Sequence, residues 1–266
     1  MPELPDLEVY RDNIFKKLTS KRLVGLKVFS MKITMPESIL IDQLNGRELL
    51  AINRYGKELF FDFADDRVIS AHLMLNGKIS IIPNADTKAI DKIKGKVFTL
   101  AFENESLIFR DSGRIGAAIK YKPLPSKVPD ALGDDFTLKR FLQFAKRKSN
   151  EIENIKTFLI DQKVVKGIGN AYADEMLWLA RISPKSIVSK VPKEEMTVLY
   201  HAIGTVLRDA IDSIKAISPD IISGEERSFL KVHSKTKDKT ETGYPIIVET
   251  VDTKITYYTE EQILFR

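Results

Sequence analysis

The feature that most constrains this chain is a change of texture part-way along it. From about residue 23 to residue 121 the apolar residues come in short runs: Leu23–Val28, Glu48–Asn53, Leu59–Phe63, Val68–Leu75, Lys78–Ile82, Val97–Phe102, Ser106–Arg110 and Ile119–Tyr121. Turn formers such as Asn76-Gly77 and Asp111-Ser112-Gly113 punctuate them. Short runs at such intervals predict a sandwich or barrel-like sheet. Ahead of them, Leu7, Val9, Ile14, Phe15 and Leu18 predict an amphipathic helix over residues 5–18, following Pro5. Pro123, Pro125, Pro129 and Gly133 then mark a linker. Beyond it the spacing turns helical, with Thr137–Arg147, Glu153–Asp161, Ala171–Leu179 and Lys193–Ile214 as the main segments. The tail returns to strands at Phe229–His233, Pro245–Glu249 and Lys254–Tyr258. The fold class is therefore α+β, without internal repeats. A β-sandwich flanked by helices occupies 1–122, a linker 123–136, a helical domain 137–224 and a β-hairpin appendage 225–266.

Composition narrows the chemistry. With 43% hydrophobic and 30% charged residues, the chain is that of an ordered globular protein. It has no cysteine, which excludes disulfides, thiolate nucleophiles and cysteine-ligated zinc. His72, His201 and His233 are scattered, so a histidine-rich metal cluster is not expected, and nothing in the sequence implies a metal or an organic cofactor. The net charge of +5 fits a polyanionic partner without singling one out. The start shows no signal peptide, and no apolar run approaches the ~20 residues of a membrane helix. A monomer in the cytosol, with no membrane partner, is the expectation.

Two constellations carry chemistry. The first is Pro2-Glu3-Leu4-Pro5-Asp6-Leu7-Glu8. Removal of Met1 would leave a secondary amine at the chain start, and an α-amine titrates near pH ~8, so a sizeable fraction is a neutral nucleophile. Condensed with a sugar C1′, such an amine gives a cationic iminium, which acidifies the C2′ proton and permits β-elimination. Glu3 stands beside it as an acid for the ring oxygen or the leaving group. A bare Met-Pro start is commonplace, and small tautomerases also use an N-terminal proline, but on short chains without the adjoining glutamate. The second constellation runs from Ile155 to Lys163 and from Val165 to Glu175: a helix, a double turn with Gly167 and Gly169, and a second helix capped near Asn170. Gly167 and Gly169 permit positive φ and close backbone approach, and the helix start with Asn170 offers N–H donors to a phosphate, with Lys156 as a point charge on the same side. Any helical hairpin needs a glycine and a cap, so this motif is weak when taken alone.

Taken together, the two constellations resemble the formamidopyrimidine-DNA glycosylase and endonuclease VIII family. The opening resembles that family's Pro-Glu-Leu-Pro-Glu-Val-Glu, and the second motif resembles its helix–two-turns–helix with the Gly-x-Gly-Asn turn. The resemblance implies further roles. Lys57, in Tyr55-Gly56-Lys57-Glu58-Leu59, matches a lysine that contacts the DNA backbone and assists elimination. His72 and Leu75 match a phosphate contact and a wedge that fills the gap left by a flipped base. The family's Asp-Pro-Arg-Arg-Phe-Gly becomes Asp111-Ser112-Gly113-Arg114-Ile115-Gly116 here. Arg114 is then a phosphate contact and Ile115 part of the wedge, while Gly113 has no side chain with which to read the orphaned base.

The family usually ends in a four-cysteine zinc finger. The corresponding positions hold Lys239, Thr242, Thr259 and Gln262, which are not a zinc ligand set. The tail is expected to be a zincless finger held by packing of Ile246, Val248, Ile255, Tyr257 and Phe265, with Lys254 at the DNA-binding arginine position. Lys231, Lys235, Lys237 and Lys239 either form a solvated face or follow the DNA backbone.

The resemblance implies a bifunctional DNA glycosylase/AP lyase of base excision repair in the bacterial cytosol and nucleoid. It would act on double-stranded DNA carrying an oxidised or otherwise damaged base or an abasic site. Pro2, Glu3 and Lys57 would be catalytic, and His72, Arg114, Lys156, Asn170 and Lys254 would hold DNA. The alternatives are a non-catalytic binder of damaged or distorted DNA, and an RNA binder using the same helical motif.

Overall fold

The computed structural model describes residues 1–29, 33, 35–111, 118–147 and 151–266, in two compact units. One comprises Met1–Pro125 with Ser218–Glu225, the other Ser126–Ile217 with Glu226–Arg266.

The first unit opens with helix α1 (Leu4–Leu18), which has Pro5 in its first turn, where a missing N–H costs no helical hydrogen bond. There follow β1 (Leu23–Val28), α2 (Glu37–Leu44), β2 (Leu49–Tyr55), β3 (Glu58–Phe63), β4 (Arg67–His72), β5 (Gly77–Pro83), α3 (Thr87–Lys92), β6 (Lys96–Phe102), β7 (Glu105–Asp111) and β8 (Ala118–Tyr121). They form two antiparallel four-stranded sheets, ordered β1-β6-β7-β5 and β2-β3-β4-β8. Strand β3 shows the alternation that produces a sandwich: Leu59, Phe61 and Phe63 are buried, and the residues between them are only partly so. Phe61 meets Phe109 edge-on at 5.8 Å, and Phe63 stacks on Phe102 at 6.4 Å. One apolar core thus joins both sheets, and Leu7, Tyr10, Ile14 and Leu18 of α1 belong to it. The sandwich read from the short apolar runs is the one that forms.

Two details depart from that reading. The run Val68–Leu75 is strand only as far as His72, after which Met74 takes a φ of 52° and the chain reverses. Helices α2 and α3 were not anticipated, since α2 buries only Leu40 and Leu44 and α3 buries nothing.

Residues 218–225 return to this unit after the last helix. The Asn13 amide donates to the carbonyls of Pro219 (2.8 Å) and Ile221 (2.9 Å), and the Tyr10 hydroxyl donates to that of Gly224.

The second unit contains α4 (Leu138–Ala145), α5 (Ile155–Ile160), α6 (Asn170–Leu179), α7 (Lys193–Ile217), β9 (Ile247–Val251) and β10 (Lys254–Tyr258). Thr137 and Asn154 cap α4 and α5 with their side-chain oxygens, as their residue types favour. Along α7 the buried residues Met196, Leu199, Ile203, Leu207, Ile211 and Ile214 recur every three or four positions, which gives one apolar stripe. The double turn before α6 is stitched by Gln162, whose amide donates to the carbonyls of Ile160 (2.9 Å) and Ile168 (2.8 Å) and accepts from Gly167 N–H (3.1 Å). Gly167 has a φ of 106°, a left-handed conformation that glycine adopts without strain, whereas Gly169, against expectation, is extended (φ −126°) because it is the residue that caps α6. The proline-rich stretch also anchors here: Lys166 N–H donates to the Pro129 carbonyl, and Ala131 N–H to that of Lys166.

The tail holds the hairpin β9–β10, but Phe229–His233 forms no strand. Its amides have another acceptor. Lys231, Val232 and His233 donate their N–H groups to the Glu175 carboxylate at 2.9, 2.8 and 2.7 Å, so no neighbouring strand is required.

Candidate active site and nucleic-acid interface

In the first unit, the predicted catalytic residues sit at the ends of elements. Pro2 is buried just before α1, and Glu3 is the residue that caps it, 5% exposed, with its N–H donating to the Asp6 carboxylate at 2.8 Å. Lys57 lies in the two-residue turn joining β2 to β3, where Gly56 takes the positive φ (59°) that such a turn requires. Glu8 of α1 pairs with Arg54 of β2, and Arg54 Nη1 donates to the Gly56 carbonyl at 3.3 Å. That chain of contacts ties the start of α1 to the turn carrying Lys57.

His72 stands across from Glu58, the residue after Lys57, in the β3–β4 register. Its Nδ1 accepts the Met74 N–H at 3.0 Å, which in the neutral ring leaves the proton on Nε2 as a donor. Beyond it the chain folds so tightly that a Cβ on Gly77 would lie 2.0 Å from the Leu73 carbonyl oxygen. This turn presents Leu75, which is 58% exposed, whereas Leu73 is buried in the core. Arg114 and Ile115 lie outside the described residues, as does Gly113.

In the second unit, Asn170 is the first residue of α6, and its amide donates to the Ile255 carbonyl at 2.9 Å. Lys254, exposed at the start of β10, is therefore one residue from a strand segment bonded to the helix start. Two exposed hairpin residues, Asp252 and Thr253, separate Lys254 from its cross-strand partner Val251.

Lys156 lies underneath. It is 1% exposed, its ammonium pairs with Asp174 at 2.7 Å, and it donates to Thr256 Oγ1 (2.7 Å) and the Ile255 carbonyl (3.2 Å). Asp174 also faces His233 Nδ1 (2.7 Å) and accepts the Tyr257 N–H (3.1 Å). Next to it, burial pushes the Glu175 carboxyl above its ordinary value, and the amides of His233, Lys231 and Val232 only partly counter this.

Three of the four positions aligned with the family's cysteines join one hydrogen-bonded cluster around Glu261. The hydroxyls of Thr242 and Thr259 and the Trp178 indole N–H all donate to Glu261 Oε2, at 2.8, 3.1 and 3.2 Å, and Arg181 pairs with Oε1. Gln262 accepts the Thr259 N–H and donates to the Ile182 carbonyl. Apolar packing adds Trp178, Val232 and Tyr257 with Ile246, whereas Val248 and Ile255 are mostly exposed. Among the described residues there is no group of three or more His, Cys, Asp or Glu that could hold a metal. Of the lysine run, Lys231 pairs with Glu241 and Lys237 donates to the Leu230 carbonyl. The sequence reading missed the Asp174 and Glu261 clusters. Asp174-Glu175 stood in the quoted motif, but no periodicity marks Glu261.

The profile of the formamidopyrimidine-DNA glycosylase N-terminal domain matches residues 1–118, and that of the formamidopyrimidine-DNA glycosylase H2TH domain matches residues 128–220. The chain is 31% identical over 242 residues to formamidopyrimidine-DNA glycosylase from Carboxydothermus hydrogenoformans, covering 88% of this chain and 89% of that one. It is also 31% identical over 256 residues to the enzyme of that name from Lactococcus lactis subsp. lactis, covering 90% of each. Among solved structures, a complex of the L. lactis protein with a THF-DNA and an inhibitor matches with a TM-score of 0.85 at 25% identity, over 98% of this chain and 100% of that one. The L. lactis protein bound non-covalently to DNA containing an AP site matches at 0.84, also at 25% identity, over 98% and 99%.

Proposed function

The chain belongs to the formamidopyrimidine-DNA glycosylase family, and we propose that its glycosylase and AP lyase chemistry runs through the Pro2 amine exposed by removal of Met1. It is a DNA glycosylase of base excision repair, and its substrate is double-stranded DNA with a base lesion or an abasic site. The neutral amine attacks C1′ as the bond from C1′ to the base breaks, and the base leaves with that electron pair. The amine proton is then lost, and the ring bond to O4′ opens. Glu3 protonates O4′ and a C1′ iminium remains. Loss of a C2′ proton expels the 3′ phosphate by β-elimination. The observation that carries this reading is the burial of Glu3 next to Pro2 at the start of α1, where its N–H is fixed by the Asp6 carboxylate.

Apart from that of Lys156, the remaining roles are those that the family resemblance implies. Lys57 assists elimination from the β2–β3 turn. His72 offers its Nε2 proton to a phosphate, and exposed Leu75 fills the gap left by a flipped base, with Ile115 as its companion. Asn170, the start of α6 and Lys254 hold phosphates, as does Arg114. Lys156 acts from beneath, fixing the Ile255–Thr256 backbone on which that grip depends. Glycosylase and lyase both operate in the bacterial cytosol, at the nucleoid.

Borohydride trapping on a duplex containing an abasic site tests the central step. Protein whose mass shows loss of Met1 is expected to give a covalent adduct, and a Met1-retaining control none. No adduct from the processed protein would overturn the assignment of Pro2.

A further inference from the structure

The return segment 218–225 ends on a carboxylate placed at the start of the chain. Glu225 pairs with the α-ammonium of Met1 in the same compact unit. The segment behind it is fastened at several points. Tyr10 and Asn13, neighbours on one face of α1, bond to the carbonyls of Gly224, Pro219 and Ile221. Ile79 N–H donates to Ser223 Oγ at 3.3 Å, and Ile221 and Ile222 pack against the sandwich core. A carboxylate held in this way is not a loosely tethered surface charge. The Pro2 nitrogen is three covalent bonds from the Met1 ammonium, no more than about 3.7 Å away. Once Met1 is removed, the Pro2 ammonium is the nearest cation the chain start can offer to Glu225.

We propose that Glu225 holds the Pro2 amine in position and accepts its proton, so that the nitrogen lone pair is available and aimed when C1′ arrives. This rests on the assignment of Pro2 as nucleophile. The step is a proton transfer alone: one N–H bond of the ammonium breaks, its electron pair stays on nitrogen, and one carboxylate O–H bond forms. No bond to carbon changes until the amine attacks. The sequence gives no hint of this role, because Glu225 lies in a loop more than two hundred residues from Pro2, and only the fastening of segment 218–225 to the sandwich and α1 brings it back.

The test is single-turnover borohydride trapping with Glu225→Gln, Glu225→Ala and Glu225→Asp, each checked by mass for loss of Met1. The Glu225 side chain is 37% exposed, so Gln leaves the packing intact, and unchanged affinity for a duplex carrying a reduced abasic analogue verifies the fold. The expected result is about a tenfold slower trapping rate in Gln and Ala, unchanged duplex affinity, and recovery of most of the rate in Asp. A wild-type rate in Glu225→Gln, with wild-type protein trapping normally, would overturn the role of Glu225 alone. Failure of wild-type protein to trap would instead remove the Pro2 assignment, and this one with it.

Discussion

The two units place their buried charged side chains differently. In the first, the groups assigned to chemistry sit at the ends of elements: Glu3 before α1, Lys57 in a hairpin turn, His72 and Leu75 where β4 ends. The space between its sheets is filled by aromatic and aliphatic side chains such as Phe61, Phe63, Phe102 and Phe109. In the second, the buried charges lie beneath the hairpin, where α5 and α6 meet β10. Lys156 and Asp174 are both 1% exposed and paired, and Glu175 is 5% exposed under three backbone amides. The cause is the amount of apolar surface available. Two sheets can bury a core between them, whereas a two-stranded hairpin is marginal by itself. Here the hairpin packs only Tyr257, with Trp178, Val232 and Ile246, into an apolar cluster. Polar contacts must then fasten the finger. Stability and function are therefore separable in the sandwich, and inseparable beneath the finger.

The largest effect tests the separable side. Glu3→Gln keeps the shape of the side chain and removes its acidity, and should slow base excision by about 10²–10⁴-fold. Melting should move by no more than the ~1 kcal/mol typical of a cap change. Single-turnover excision alongside calorimetry checks this. A collapse of stability together with activity would break the contrast, by making Glu3 a structural group as well.

The inseparable side is tested by Lys156→Met, which leaves Asp174 buried without its cation. Removing one partner of a buried pair costs about 3–5 kcal/mol, so melting of the second unit should fall sharply and duplex binding with it. Lys254→Ala is the exposed comparator: melting should hold, and the slope of log affinity against log salt should shrink by about 0.9. If Lys156→Met instead lowers only the salt slope, Lys156 is a phosphate contact and the internal network is dispensable.

How far the sequence was readable follows the same division. Leu59, Phe61 and Phe63 announce the sandwich because strand alternation is local, and the helical segments near Thr137 and Glu153 are readable because their apolar spacing is local too. Pro2-Glu3 and Gly167-Ile168-Gly169-Asn170 stood out only in combination, through the family whose motifs they resemble. The strand expected at Phe229–His233 failed because its amides are claimed by Glu175, more than fifty residues earlier. Lys156 gave no sign of burial, since a lysine near a helix start looks like a surface charge until Asp174 and Thr256 close over it. What escaped the sequence is the pairing of polar groups at long range, which has no period.

The smallest effect probes how the finger is fastened where the family usually has zinc. Partial burial pushes the Glu261 carboxyl upward, but donation from Thr242, Arg181, Trp178 and Thr259 outweighs it and holds the group below its ordinary value of 4.5. A carboxylate depressed in the folded state adds stability that is complete above pH 4.5 and drains away as the pH falls through the lowered value. Trp178 is the only tryptophan in the chain, and its indole donates to this carboxylate, so its emission reports the event directly. Wild-type protein should show a change in Trp178 emission below pH 4.5, while duplex affinity weakens in the same window. Glu261→Ala should lack that transition and lose about 1–3 kcal/mol at neutral pH, because the buried Trp178 N–H and Thr259 hydroxyl are left without their acceptor. The same acid transition in both proteins would mean that the finger is fastened by the Trp178–Val232–Tyr257 packing alone. The second unit would then be built more like the first than its buried charges suggest.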